Sequence, residues 1–428
     1  MDNKKTKNLA IEENPVNISS IDQQPPHVEG EVPQEKENKI KGLLKKIAPA
    51  LIAIVAGLIA GLVIMIVSRP AEAFPSFYTM LGGWIFLPSQ RLTGIGNWLG
   101  LLPPLLMTGL AVGFAFKTGL FNIGASGQFT VGMLCAMMVG VLLKAIPSPW
   151  LWMLACLAGI IGGLIWGLVP GLAKAFFSVN EVITCIMMNY IGMFMVNQII
   201  KSGIGLFDIN RNLSVTVSKN AFTPTLGLRT IFKGSSVDIA FIIAILIAII
   251  ISIILNKTKL GYELKACGFN HEAARYGGIS EKRSITLSFL IAGALAGLGG
   301  AFFILASGAY NSGSNYAVIE EIRPEGFDGI AIALLGQTSP IGIIFSTLFV
   351  TFIRRGGNTI QIYGFKPEII DIIIAVIVYC SAFALLFYEI IQRWRKKKKA
   401  PLEVCAPPPP DPHVIEVTAI IKKMGGKK

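Results

Sequence analysis

The chain has 428 residues, of which 53% are hydrophobic, and its mean hydropathy is +0.63. This composition excludes a soluble globular protein and indicates a polytopic membrane protein. The formal net charge of +13 does not indicate a nucleic-acid partner, because much of the basic charge lies beside apolar segments, where the positive-inside rule explains it.

The chain begins with a polar segment and then alternates between long apolar runs and short polar links. Residues 1–40 carry little periodicity, so we expect a disordered cytoplasmic tail. Runs close to the length that crosses a bilayer as a helix lie at residues 47–67, 182–200, 239–255, 287–306 and 369–387. With the shorter apolar segments included, the pattern predicts an all-α fold with about ten transmembrane helices and cytoplasmic N and C termini.

The transmembrane domain is expected to cover residues 41–395, and residues 396–428 are expected to form a basic, Pro-rich cytoplasmic tail. One basic segment disagrees with this topology. Residues 201–233 carry several lysines and arginines, yet the parity of the spans places them outside, where the positive-inside rule disfavours them.

Two apolar stretches are interrupted. Residues 117–128 contain glycines and amides inside an apolar region, and residues 326–340 form a segment too short to be a full span. Non-helical backbone survives at membrane depth only where it is buried in protein or lines a watery cavity. Residues 117–128 are therefore a candidate pathway element, whereas residues 326–340 are expected to form a broken or tilted helix. The similar sequences GLFNI at 119–123 and GFDGI at 326–330 hint at two duplicated halves.

Residues 261–283 form a polar stretch between two apolar runs. Asn270 is suited to cap a short helix over His271 to Tyr276, which Gly277 and Gly278 would end. Such a helix could dock into a groove on another protein, or the stretch could be a solvated loop. The residues themselves leave both readings open.

The chain lacks the common motifs of nucleotide hydrolysis and of hydrolytic catalysis, so we expect no enzymatic activity and no catalytic residues. The six cysteines form no CxxC pair and the chain has three histidines, so we expect no metal site. Glu181 and Asp328 are the acidic residues within or beside apolar runs that we keep as functional candidates, because ionisable groups at membrane depth are costly without a role.

Four motifs follow one another between residues 101 and 387. They are Phe121-Asn-Ile-Gly-Ala-Ser-Gly-Gln128, Asn180-Glu-Val-Ile-Thr184 with Met188-Asn-Tyr-Ile191, Gly268-Phe-Asn-His-Glu-Ala-Ala-Arg-Tyr-Gly277, and Gly326-Phe-Asp-Gly-Ile-Ala-Ile-Ala-Leu-Leu-Gly336. Together they resemble the permease subunits of ABC importers for nucleosides and simple sugars, within the wider group that includes branched-chain amino acid permeases.

The resemblance implies that residues 41–395 are a permease domain and residues 261–283 a cytoplasmic coupling loop. By this resemblance the contact with a cytoplasmic ATP-binding subunit is carried by Gly268, Asn270, Glu272, Ala273, Ala274, Tyr276 and Gly277. It further implies a second permease copy or a homologous subunit, an extracytoplasmic solute-binding protein, and a multi-pass location in the cytoplasmic (inner) cell membrane. ATP would be bound by the partner subunit, so no cofactor is expected on this chain.

For the substrate pathway we select polar residues of the first two motifs: Asn122, Ser126, Gln128, Asn180, Glu181 and Asn189. Amide groups donate and accept hydrogen bonds, which suits a neutral solute such as a nucleoside. The alternative is that they bond neighbouring helices, as buried polar residues in membranes often do. Ser126 stands where the family usually has Glu, so a carboxylate near the pathway is missing.

We therefore predict the transmembrane permease subunit of an ATP-driven importer of a small polar solute, with nucleoside first and simple sugar second. An ion-coupled secondary transporter is the alternative, with Glu181 and Asp328 as its candidate coupling groups. A non-transporting membrane scaffold is the third class, and it leaves the interrupted stretches unexplained.

Overall fold

The structure is a computed structural model that describes residues 39–85, 91–308, 313–366 and 368–380. Residues 1–46 form one unit, of which only the start of the first helix is described. Residues 47–428 form the other unit, and all contacts discussed below lie within it. The expected tails, residues 1–40 and 396–428, lie almost entirely outside the described residues and stay predictions, as do the cytoplasmic termini.

The described part is mostly helical. Its α-helices are α1 (Lys39–Ser68), α2 (Ala73–Met80), α3 (Arg91–Gly100), α4 (Leu102–Lys117), α5 (Ala125–Leu142), α6 (Trp150–Phe177), α7 (Glu181–Lys201), α8 (Leu228–Ile231), α9 (Ala240–Lys257), α10 (Lys259–Phe269), α11 (His271–Tyr276), α12 (Glu281–Leu305), α13 (Glu325–Leu335) and α14 (Pro340–Ile360). Residues 368–380 are also helical. Strands β1 (Phe207–Asp208) and β2 (Leu213–Ser214) pair antiparallel, with Phe207 opposite Ser214.

Six spans in the described residues are long and apolar enough to cross a membrane, and a bent pair raises the number to seven. Helices α3 and α4 together make one span; α5, α6, α7, α9 and α12 make the others. The bent pair is α13 followed by α14, at an angle of 119°. The first predicted span, residues 47–67, and the last, residues 369–387, are each described only in part, so neither is included in this number. The count of about ten helices therefore stays a prediction.

Helix α12 is the centre of the bundle and packs against α4, α5 and α6. The closest approach is to α6, where a Cβ atom on Gly163 would lie 2.2 Å from the carbonyl oxygen of Gly293. Any side chain at either position would push the backbones apart. The small residues that the sequence places at helical spacing in both helices are thus the reason that the two spans pack so closely.

The bundle has two distinct ends. Helices α10 and α11 lie beside the first residues of α12, where His271 approaches Glu281 at 3.5 Å. The last residue of α12, Leu305, instead accepts a hydrogen bond from Thr223 N, in the segment that follows the β1–β2 hairpin. We call these the short-helix end and the hairpin end. Helix α7 also runs from one to the other, because its first residue follows α6 and its last precedes the hairpin.

Candidate functional site

The interrupted stretch between α4 and α5 is a buried, hydrogen-bonded turn. Gly119 has a positive φ of 76°, which the missing side chain permits, and the chain turns there before α5 begins. Asn122 Nδ2 donates to Gln128 Oε1 at 2.8 Å, and Gln128 Nε2 donates back to Asn122 Oδ1 at 3.3 Å. Both side chains are fully buried. This amide pair fixes the turn against the first residues of α5.

Asn189 on α7 satisfies the backbone of the same turn. Its Oδ1 accepts from Gly127 N at 2.8 Å, and its Nδ2 donates to the carbonyl oxygen of Ile123 at 3.0 Å. One amide thus supplies a partner for the N–H and the C=O that a broken helix leaves open. Asn189 thus joins α7 to the turn, whereas Asn122 and Gln128 bond each other within it.

The first turn of α5 meets the first turn of α13. Ser126 is fully buried, and its hydroxyl donates to the carbonyl oxygen of Arg323 at 2.9 Å. A Cβ atom on Gly326 would lie 2.3 Å from both the backbone N and the Oγ of Ser126. The backbones of the two interrupted stretches therefore touch. We call this place the junction.

An ion pair lies beside the junction. The Nε of Arg323 donates to Glu325 Oε2 at 3.1 Å, and a second guanidinium nitrogen contacts the other carboxylate oxygen. The guanidinium carbon is 4.7 Å from the centroid of the Phe303 ring and 5.9 Å from that of Tyr316. Sequence reasoning assigned no role to Arg323, although its position just before the second short motif was an available signal.

The junction is chemically suited to a polar solute. Helix N-termini present unsatisfied N–H groups and a partial positive charge, and here two of them converge inside an apolar bundle. Discontinuous helices of transporters use such ends to face the polar groups of substrates. The ion pair adds a donor and an acceptor at the same place. Polar groups of α5 and of the segment before α13 are thus concentrated at the junction.

The remaining predicted pathway residues lie elsewhere. Asn180 caps α7 by accepting from Val182 N at 2.9 Å, and Glu181 pairs with Lys174 at 2.9 Å. Both are at the short-helix end, whereas Ser126, Asn122, Gln128 and Asn189 are gathered around the junction. Asp328 pairs with Arg354 at 2.7 Å, so each of the two candidate carboxylates has a basic partner.

The short-helix end has the local structure expected from its sequence. Helix α11 runs from His271 to Tyr276, and Asn270 Oδ1 accepts from Ala273 N at 3.0 Å as its cap. The preceding helix, α10, was not expected. It arises because Thr258 caps Lys259–Phe269 by accepting from Gly261 N, in a stretch that is polar yet free of helix-breaking proline.

A groove of about 410 Å³ lies between these short helices. Its lining is formed by Lys259, Tyr262, Glu263, Ala266, Phe269, Asn270, Ala273, Ala274, Gly277 and Ile279. Phe269 and Tyr276 are 89% and 93% exposed. Two large aromatic side chains are thus exposed in or beside the short helices, outside the spans. Sequence reasoning gave no role to Phe269, because the capping signal at Asn270 points only to the helix that follows it.

The predicted coupling residues divide by exposure. Asn270, Glu272, Ala273, Tyr276 and Gly277 are exposed, whereas Ala274 is buried. Gly268 packs inward, where a Cβ atom would lie 2.5 Å from the carbonyl carbon of Thr118. This contact joins α10 directly to the turn that precedes α5. The short-helix end and the junction are therefore connected through a single buried turn.

The sequence is similar to a family of membrane transport proteins. Residues 94–382 match the family model described as "Branched-chain amino acid transport system / permease component". The chain is 37% identical over 359 residues to a guanosine ABC transporter permease, NupP, of Bacillus subtilis (strain 168), covering 84% of this chain and 99% of the relative.

Two further relatives cover much of the chain. A nucleoside ABC transporter permease, NupB, of Lactococcus lactis subsp. cremoris (strain MG1363) is 35% identical and covers 79% of this chain and 91% of its own. A glucose ABC transporter permease, TsgB13, of Haloferax volcanii is 30% identical, covering 68% of this chain and 76% of its own. No solved structure matches the chain.

Proposed function

This chain belongs to the family of branched-chain amino acid transport system permease components, and from that we propose that it is the membrane-spanning subunit of an ABC importer for nucleosides. The observation that carries the choice of solute is its 37% identity to a guanosine permease along 99% of that protein's length. A match of this extent includes both interrupted stretches and the short helices between them, which are the parts that bear on transport.

The solute would pass close to the junction. Nucleosides are neutral and rich in donors and acceptors, and the converging N-termini of α5 and α13 with the Arg323–Glu325 pair can bond such groups. Asn122, Gln128 and Asn189 would act by holding the junction in place. Asn180 and Glu181, at the short-helix end, would lie near the cytoplasmic exit.

The energy would come from a separate ATP-binding subunit seated in the groove between α10 and α11. The chain itself would bind no ATP. A second permease copy or a homologous subunit would complete the membrane part, and a solute-binding protein would deliver nucleoside at the hairpin end. We place the assembly in the cytoplasmic cell membrane, with the short-helix end in the cytoplasm.

The test is uptake by proteoliposomes that contain the purified complex, with ATP inside and solute-binding protein outside. We expect uptake of labelled guanosine that requires ATP, is competed by other nucleosides and persists with a protonophore. Before that, affinity capture of the tagged chain from detergent-solubilised membranes should recover an ATP-binding subunit. Uptake that continues without ATP and stops when the membrane potential is removed would replace the proposal with an ion-coupled transporter.

Simple sugars are the second candidate, because a glucose permease is 30% identical to the chain. The same vesicles decide between the two solutes. Uptake of labelled glucose that requires ATP, with no uptake of labelled guanosine, would favour the sugar.

A further inference from the structure

Residues 313–324, which we call the strap, run from the hairpin end down to the junction. At the upper end the strap is bonded to β2 like a third strand. Ser214 N donates to the carbonyl oxygen of Tyr316 at 2.8 Å, and Tyr316 N donates to Ser214 Oγ at 2.9 Å. Val318 N donates to the carbonyl oxygen of Asn212 at 3.2 Å. The hairpin and the upper strap are thus one hydrogen-bonded body.

Tyr316 also fastens the strap to α7. Its side chain is fully buried, and its hydroxyl donates to Asn197 Oδ1 at 2.9 Å. Asn197 Nδ2 in turn donates to the carbonyl oxygen of Ile319 at 2.8 Å. A buried amide and a buried phenol with these bonds are costly to separate, because removing one partner leaves the other unsatisfied.

The lower end of the strap forms part of the junction. The backbone carbonyl oxygen of Arg323 accepts the hydrogen bond of the Ser126 hydroxyl. The guanidinium group of Arg323 lies over the rings of Phe303 and Tyr316. The strap then enters α13 through Pro324. Tyr316 therefore touches the hairpin, α7 and the arginine of the junction at once.

The hairpin is the accessible part of this connected body. Ile209 is 81% exposed, and the side chain of Arg211 is 75% exposed. A protein that docks on the hairpin end would contact β1 and β2. From there to Ser126, the hydrogen bonds and ring contacts described above form an unbroken series. Coupling between distant sites needs such a contiguous network and an element with alternative positions. Helix α13 begins at the junction, directly after the strap.

We propose that the strap transmits movement of the hairpin to the junction, with Tyr316 and Asn197 as the positioning residues that hold it. The partner that moves the hairpin is the solute-loaded binding protein, so this inference rests on the proposed function. Docking outside would shift the first turn of α13 relative to that of α5. The strap thereby opens or closes the polar junction to the solute.

The experiment compares Tyr316→Phe, Asn197→Ala and the double variant in the purified complex. Tyr316→Phe keeps the ring and removes one hydroxyl. We expect hydrogen exchange in residues 125–128 and 325–329 to be about tenfold faster, the effect of losing one buried hydrogen bond, with α9 unchanged. Tyr316 and Asn197 share one hydrogen bond. The double variant should therefore exchange little faster than Asn197→Ala alone. Tyr190→Phe on α7, with a ring 47% exposed, is the matched control.

The second measurement is uptake at a range of binding-protein concentrations. We expect the maximal rate to fall several-fold while the half-saturating concentration stays unchanged, because docking occurs on the hairpin and not on the strap. Ser214→Ala, which removes the acceptor of Tyr316 N, tests the same link from the hairpin side if the Tyr316 variant does not assemble.

Hydrogen exchange at the junction that is unchanged in the variants would overturn the role of the strap. So would effects of the two substitutions on the exchange rate that add fully in the double variant. A wild-type complex that takes up no nucleoside would instead overturn the proposed function, and the exchange measurement would still decide the inference.

Discussion

Gly326 is the residue on which the contact between the two half-helices depends. A methyl group there would lie 2.3 Å from the backbone N of Ser126, and backbone atoms of a helix cannot move aside as a flexible side chain does. We expect Gly326→Ala to separate the first turns of α5 and α13 at a cost of about 1–3 kcal/mol. Uptake should fall by about fivefold or more, since about 1.4 kcal/mol corresponds to a factor of ten.

The matched control is Gly192→Ala on α7, where the new methyl group would approach only the side chain of Trp166, at 3.3 Å. Uptake by reconstituted complex and the amount of chain in the membrane are measured for both variants. Equal uptake by the two variants at equal membrane content would show that the junction does not need this contact.

Asp238 is a buried carboxyl group at the hairpin end, just before α9. Burial raises its pKa to about 6, and hydrogen bonds from Thr223 and Ala240 with the nearby Arg229 only partly oppose this. The folded protein thus holds the proton more tightly than the unfolded chain. Stability should be greatest below the ordinary pKa of 3.8 and should fall, by an amount on the order of 3 kcal/mol, as the pH rises through about 6.

The measurement is the apparent Tm of the purified chain between pH 4.5 and 7.5, for the wild type and for Asp238→Asn. Asparagine keeps an oxygen for the N–H of Ala240, which Asp238 Oδ1 accepts at 3.0 Å. The Tm of the variant should not fall as the pH rises, and at pH 7.5 it should be higher than the Tm of the wild type. Parallel curves for the two proteins would contradict the raised pKa.

At the scale of elements, α10 and α11 form the surface that the ATP-binding subunit is proposed to use. Ala273 and Gly277 line the groove and are exposed. We expect Ala273→Trp and Gly277→Trp to fill the groove and prevent recovery of the ATP-binding subunit, while membrane insertion is unchanged. Arg275→Trp is the control, because Arg275 is exposed on α11 and does not line the groove. Normal recovery with both groove variants would refute the docking surface.

The elements that sequence predicts best are those whose causes are local. The cap at Asn270 and the glycines of α6 and α12 act within a few residues or at a fixed helical spacing, and the structure has both. The hydrogen bond between Ser126 and Arg323 joins residues 197 positions apart. Neither periodicity nor capping reports which distant segments meet, so the junction and its ion pair were not predictable. The likeness of GLFNI and GFDGI was the one indication that the two stretches belong together.

At the scale of the whole molecule, the two ends of the bundle constrain the topology. Residues 201–233 and 261–283 are both rich in lysine and arginine, and the structure places them at opposite ends of α7 and α12. If α7 and α12 cross the membrane, one of these basic segments must lie outside, whichever way the chain is inserted. The conflict with the positive-inside rule thus follows from the fold, and it cannot be removed by inverting the protein.

We expect the hairpin end to be the external one, because α10 and α11 are proposed to bind the ATP-binding subunit, which works in the cytoplasm. Single cysteines at Ile209 and at Phe269, which are 81% and 89% exposed, test this in a chain whose native cysteines are replaced. A membrane-impermeant maleimide added to intact cells should label the cysteine at 209 and leave that at 269 unlabelled until the cells are opened. Labelling of both positions in intact cells would mean that α9 does not cross the membrane. The reverse pattern would place the groove outside, where no ATP-binding subunit could reach it.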